Sequence, residues 1–108
     1  VDPVDYIKKY SGRSPVVHLK DFVCDKRNAG PVYALIDEEG KDNKEASLED
    51  NGFAFRPLGQ GIQDIPAILQ AAKEAGATYV IVEQDESPTC HPLQAAKESR
   101  EYLKTLGV

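Results

Sequence analysis

The chain has 108 residues, enough for one domain with its own core. Its 13 basic and 18 acidic residues give a net charge of −5, which disfavours binding to nucleic acid or to an anionic membrane. It contains no apolar run long enough to span a bilayer and no signal-peptide pattern at Val1. We therefore expect a cytoplasmic protein in which Cys24 and Cys90, far apart in the sequence, stay reduced.

The first predicted elements are a short helix and a buried strand. Asp2 followed by Pro3 is typical of a helix start, and Gly12 marks the end of the helix. The apolar run from Val16 to Leu19 then predicts a parallel strand that is buried on both faces. The apolar face of the helix repeats every three residues: Val4, Ile7 and Tyr10.

Residues 22–62 form an unusually long connection for a strand followed by a helix. Two short stretches within it, Val32 to Ile36 and Phe53 to Arg56, contain β-forming residues. The segment between them, Glu38 to Asn51, is polar and carries turn signals. This pattern predicts a hairpin-like insertion with a solvated tip.

A second helix, a second strand and a closing helix follow. Asp64 and Pro66 open the second helix, Gly76 follows its end, and Tyr79 to Val82 is the second apolar strand. The predicted buried face of the second helix consists of Ile65, Ile68, Leu69 and Ala72. The predicted stripe of the last helix consists of Leu93, Ala96, Leu103 and Leu106.

This order of elements is typical of parallel β/α units. Because two parallel strands cannot close a barrel or make a satisfied sheet, we interpret residues 1–108 as the C-terminal part of a larger α/β domain. The missing Met at position 1 supports the same interpretation.

Candidate chemistry lies where the two strands end. His18 and Glu83 are suitable ligands for a divalent metal, and parallel neighbouring strands would bring them to one edge of the sheet. A hydrogen-bonded histidine and a solvated glutamate are the alternative interpretation. Lys20 and Asp21 follow His18 closely, either as a structural charge pair or with Lys20 contacting a substrate oxygen.

The segment from Arg56 to Gly61 is the second candidate. Its glycines allow a ligand to approach the backbone closely, and Arg56 offers a charged fork for oxygen atoms. A simple turn before the helix at Asp64 explains the same residues.

Three blocks in order resemble the C-terminal part of the sugar phosphate isomerase/epimerase family, the xylose-isomerase-like barrels. They are Val16 to Asp21, Arg56 to Gly61 with Asp64, and Ile81 to Asp85. The resemblance implies strands seven and eight of a (β/α)₈ TIM barrel, together with their flanking helices. The hairpin-like insertion follows the first of these strands.

The resemblance also implies a divalent metal (Mn, Zn, Co or Mg) held by His18 and Glu83, with further ligands on earlier strands. Glu83 would in addition act as a catalytic acid–base group, and Arg56, Lys20 and Asp21 would contact a small sugar or sugar-phosphate substrate. The implied reaction is proton transfer beside a carbonyl group. A dehydratase or lyase of a polyol-derived ketone on the same barrel is one alternative, and a non-catalytic assembly or binding module is another. Alone, the chain would be inactive, and we expect it to pair with the remainder of the barrel or with itself.

Overall fold

The computed structural model describes residues 2–24 and 52–108, which form a mixed α/β structure with three helices and four strands. No helix in these two ranges is long and apolar enough to cross a membrane. The predicted β-forming stretch from Val32 to Ile36 lies outside the described residues. In chain order the elements are α1 (Pro3–Lys9), β1 (Val16–Leu19), β2 (Asp21–Cys24), β3 (Phe53–Arg56), α2 (Ile65–Glu74), β4 (Tyr79–Val82) and α3 (Pro92–Thr105).

The two predicted apolar strands, β1 and β4, lie side by side in parallel. His18 is the register partner of Ile81, and the N–H of Glu83 donates to the carbonyl of Leu19 at 3.0 Å, which continues the pairing past the end of β4. Because side chains alternate along a strand, His18 and Lys20 lie on the same face as Ile81 and Glu83.

A second sheet pairs β2 with β3 in antiparallel orientation, with Phe22 opposite Phe55. The sequence pattern predicts β-structure for β3, whereas most of β2 lies in the long connection predicted for residues 22–62. Aromatic packing accounts for the strand: ring centroids lie 4.9 Å apart for Phe22 and Phe53, and 5.1 Å apart for Phe53 and Phe55. The chain therefore passes from one sheet into the other across a single residue.

The starts of α1 and α2 confirm the helix signals in the sequence. Oδ1 of Asp2 accepts the N–H of Val4 at 2.9 Å, and Oδ1 of Asp64 accepts the N–H of Ala67 at 3.1 Å. Each cap is followed by a proline in the first turn, where its missing N–H costs nothing. Gly76, with φ of 86°, follows the end of α2.

The face of α3 that packs inward agrees with the prediction in its last turns and differs from it in its first turns. Leu103 is buried and Leu106 packs against the core, as predicted, whereas Leu93 is 77% exposed and its place is taken by Ala95 and Ser99. The buried residues are each four positions from the next. The small side chains of Ala95 and Ser99 permit close packing, and Ser99 Oγ accepts the N–H of Leu58 at 3.1 Å. The hydrophobic cluster that α3 joins consists of Leu19, Leu58, Ile65, Ile68 and Leu103.

Candidate active site

Four charged or titratable side chains meet at the carboxyl ends of β1 and β4. Nδ1 of His18 lies 2.8 Å from Oε2 of Glu83, and Nζ of Lys20 lies 3.1 Å from Oε1 of the same carboxylate. Lys20 also contacts Asp85, at 3.0 Å to Oδ2 and 3.3 Å to Oδ1. We call these four residues the strand-end cluster.

The register of the parallel pair produces this cluster. Glu83 lies two residues beyond Ile81, the partner of His18, and therefore level with Lys20 on the neighbouring strand. The side chains of His18 and Glu83 are 56% and 40% exposed, so that a ligand can reach both. The structure thus brings together three of the predicted site residues on one accessible face.

Hydrogen bonds within the cluster shift two ionisation equilibria in opposite directions. The hydrogen bond with His18, and secondly that with Lys20, holds the pKa of the Glu83 carboxyl below its usual value. The hydrogen bond to Asp85, and secondly that to Glu83, raises the pKa of Lys20. At neutral pH the cluster therefore presents a carboxylate beside an ammonium group.

We expect the carboxyl carbon of Glu83, followed by NMR, to titrate with a midpoint below the ordinary value of 4.5. Because the pKa in the folded state is lowered, this interaction stabilises the fold above the unfolded-state pKa and is lost as pH falls through the folded pKa. His18→Ala should raise the midpoint. The pKa of Glu98 is also lowered, but by Gln94 and Gln60, so it serves as the internal control. An unmoved Glu83 midpoint in the His18 variant would contradict the assigned cause.

The imidazole nitrogen of His18 and the carboxylate oxygen of Glu83 lie next to each other, and both are atom types that bind divalent transition metals as ligands. In the described ranges no group of three or more His, Cys, Asp and Glu residues could hold a metal ion. The two side chains therefore fit part of a metal site, and the remaining ligands would have to come from elsewhere.

Asp21, expected at the substrate, lies inside the protein instead. It is 1% exposed, and its carboxylate accepts backbone N–H groups rather than the ammonium of Lys20. The predicted pairing of Lys20 with Asp21 is replaced by the contacts of Lys20 with Asp85 and Glu83. In the described part of the chain, Asp21 therefore has a structural role, as an acceptor of backbone hydrogen bonds.

Arg56 lies at the end of β3 and is partly buried. Its Nη1 donates to the carbonyl of Phe55 at 2.8 Å. This bond holds the guanidinium group against its own strand. In the described part of the chain, Arg56 forms no hydrogen bond with a member of the strand-end cluster.

Asp85 is the member of the cluster that sequence reasoning missed. The signal was available, because Lys20 and Asp85 each follow a predicted ligand by two residues and so return to the same side of the chain. Its two oxygens hold the ammonium of Lys20 in place.

A groove of about 380 Å³ borders His18 and Lys20 and is otherwise lined mainly by apolar residues of α1, β1 and α2. A larger one of about 450 Å³ lies near the start of β4 and includes Tyr79. None of the residues lining the larger groove is a histidine, cysteine or carboxylic acid. Of these two grooves, the smaller one therefore borders residues of the strand-end cluster.

The chain is similar in sequence to part of a known enzyme. It is 31% identical over 107 residues to the inosose dehydratase of Geobacillus kaustophilus (strain HTA426). The match takes in 97% of this chain but 32% of the relative, so the chain spans about a third of that protein's length. No model of a known protein family matches the chain.

Proposed function

We propose that the chain supplies two neighbouring β/α units, in the positions of strands seven and eight, to a (β/α)₈ barrel enzyme. The enzyme would remove a proton beside the carbonyl group of a polyhydroxylated substrate. The observation that carries this proposal is the strand-end cluster, because barrel active sites form at the carboxyl ends of parallel strands. The similarity to inosose dehydratase favours dehydration of a polyol-derived ketone. Isomerisation or epimerisation of a sugar or sugar phosphate is the second candidate, from the resemblance of the three sequence blocks.

Three members of the cluster take part in the proposed reaction. Glu83 is a carboxylate at neutral pH and can accept a proton, and its hydrogen bond with His18 fixes the direction of the carboxylate. Lys20, whose pKa is raised, stays cationic and can donate to a substrate oxygen that gains negative charge. His18 and Glu83 would also hold a divalent metal together with ligands beyond the described residues. Such a metal would polarise the substrate oxygens when bound.

The two candidate reactions share their first step and differ in the second. In both, the carbon–hydrogen bond next to the carbonyl breaks and its proton passes to Glu83. In dehydration the hydroxyl group on the next carbon, away from the carbonyl, takes up a proton and leaves as water. The deprotonated carbon then carries an enol through its own hydroxyl group, and this enol rearranges to a second ketone. In isomerisation or epimerisation a proton returns to carbon and nothing is lost.

Product analysis in D₂O tests the proposal and separates the candidates. The complete, metal-loaded barrel would be incubated with inosose, a ketose and a ketose phosphate, and the products followed by NMR and mass spectrometry. A product that lacks one water molecule indicates a dehydratase. A product of unchanged composition with deuterium beside the carbonyl indicates an isomerase or epimerase. Neither change with any of these substrates would contradict the proposal.

The apolar part of the face that carries the cluster supports the barrel assignment. Val16, Tyr79 and Ile81 are 40%, 70% and 45% exposed on this side of the parallel pair. Such a surface in a folded protein is normally covered. We propose that further strands of the barrel, or a second copy of the chain acting as an assembly module, cover it. Sedimentation of the chain alone tests this proposal. Without the rest of the barrel we expect the chain to self-associate, and a well-folded monomer would contradict the barrel assignment.

A further inference from the structure

The carboxylate of Asp21 is surrounded by backbone N–H groups. Oδ1 accepts the N–H of Phe22 at 3.0 Å and of Gln63 at 3.1 Å. Oδ2 accepts the N–H of Gly59 at 2.9 Å and of Gly61 at 3.0 Å. Three of the four donors belong to residues 57–63, which we call the glycine loop. The loop therefore wraps around an anion that the protein itself supplies.

The two glycines permit this close wrapping. A Cβ atom at Gly61 would overlap Oδ1 of Asp21 and would lie 2.5 Å from the carbonyl oxygen of Phe22. Gly59 has φ of 84°, and a Cβ there would lie 2.5 Å from the ring of Tyr102 on α3. The loop is thus fixed between the carboxylate on β2 and the aromatic ring on α3.

We infer that Asp21 is a positioning residue, which shapes the glycine loop and through it sets the place of Arg56. Arg56 is the register partner of Asp21 across the β2–β3 pair and immediately precedes the loop. A change in the loop therefore acts directly on the end of β3. The part that concerns Arg56 rests on the proposed function, in which Arg56 contacts the substrate. The shaping of the loop does not depend on it.

Amide hydrogen exchange of this chain tests the inference without substrate or metal. Gly59 is solvent-exposed, so slow exchange of its N–H requires the bond to Asp21. We expect the N–H groups of Gly59 and Gly61 to be protected from exchange in the wild-type chain. In Asp21→Asn their exchange should be about tenfold or more faster, because one of the two accepting carboxylate oxygens is replaced by an NH₂ group, which donates. Asp85→Asn is the matched control, because it makes the same change at an exposed member of the strand-end cluster and should leave both amides unchanged.

A chemical rescue separates the task of the carboxylate from general damage to the fold. Asp21→Ala leaves room for a small carboxylate, and formate should restore the protection of Gly59 and Gly61, whereas chloride at equal ionic strength should not. Free exchange of both amides in the wild-type chain would overturn the inference even if neither variant folds. Unchanged exchange in Asp21→Asn, or equal rescue by both salts, would also overturn it. These readouts are independent of turnover, so their failure leaves the proposed reaction standing, and loss of the proposed reaction leaves them intact.

Discussion

Glu83→Gln in the complete barrel is expected to lower kcat by about 10²-fold or more, the effect of removing a positioned acid–base group. Glutamine keeps the size of the side chain and its ability to accept a hydrogen bond, but it cannot take up a proton at neutral pH. The change also removes the negative charge that faces Lys20 at 3.1 Å. Steady-state rates with the substrate identified by product analysis give the measurement, and metal content determined in parallel shows whether the variant also loses a ligand.

Arg56→Ala is the comparison variant for this measurement. Arg56 lies outside the hydrogen bonds of the strand-end cluster in the described part of the chain, so we expect its loss to raise KM chiefly. If Glu83→Gln retains its kcat while metal content and folding are normal, Glu83 is not the proton-transferring group.

The meeting of His18 and Glu83 could be predicted because the ends of the two strands can be recognised in the sequence. One apolar run holds a histidine next to its last residue and the other stops at a glutamate, so each run gives the position of a candidate ligand, and parallel pairing brings the two ends together. The register is a property of packing, and it alone decides that His18 and Glu83 touch. The fixing of Lys20 by Asp85 and the turning of Asp21 into the protein also depend on register and burial, which a linear pattern does not contain.

The fold shows the same division between local and long-range causes. The caps at Asp2 and Asp64 act within one turn of helix, so the sequence predicts them directly. Strand β2 depends on aromatic contacts with residues about thirty positions away, such as Phe22 with Phe53. The inward face of α3 depends on Ser99 reaching the backbone of Leu58, which no helical periodicity reveals.

Ile65→Ala is expected to have the largest effect on stability, a loss of about 2–5 kcal/mol in the free energy of unfolding. Ile65 is 0% exposed and packs in the cluster that contains Leu19 and Leu103, so truncation leaves a cavity that its neighbours cannot readily fill. Urea unfolding followed by circular dichroism at one fixed protein concentration gives the measurement.

Ile62→Ala is the matched control, because it is the same substitution three positions earlier on a side chain that is 57% exposed. Its effect should stay within about 0.5 kcal/mol. If both substitutions lower the free energy of unfolding equally, the hydrophobic cluster around Ile65 does not make the contribution to stability assigned to it. The comparison of Ile65→Ala with Ile62→Ala also bears on the site, because Leu19, the last residue of β1, lies between His18 and Lys20, and its buried side chain anchors the strand. Weaker packing in the hydrophobic cluster around Ile65 should therefore loosen the contact between His18 and Glu83. The titration midpoint of Glu83 should then rise in Ile65→Ala but not in Ile62→Ala.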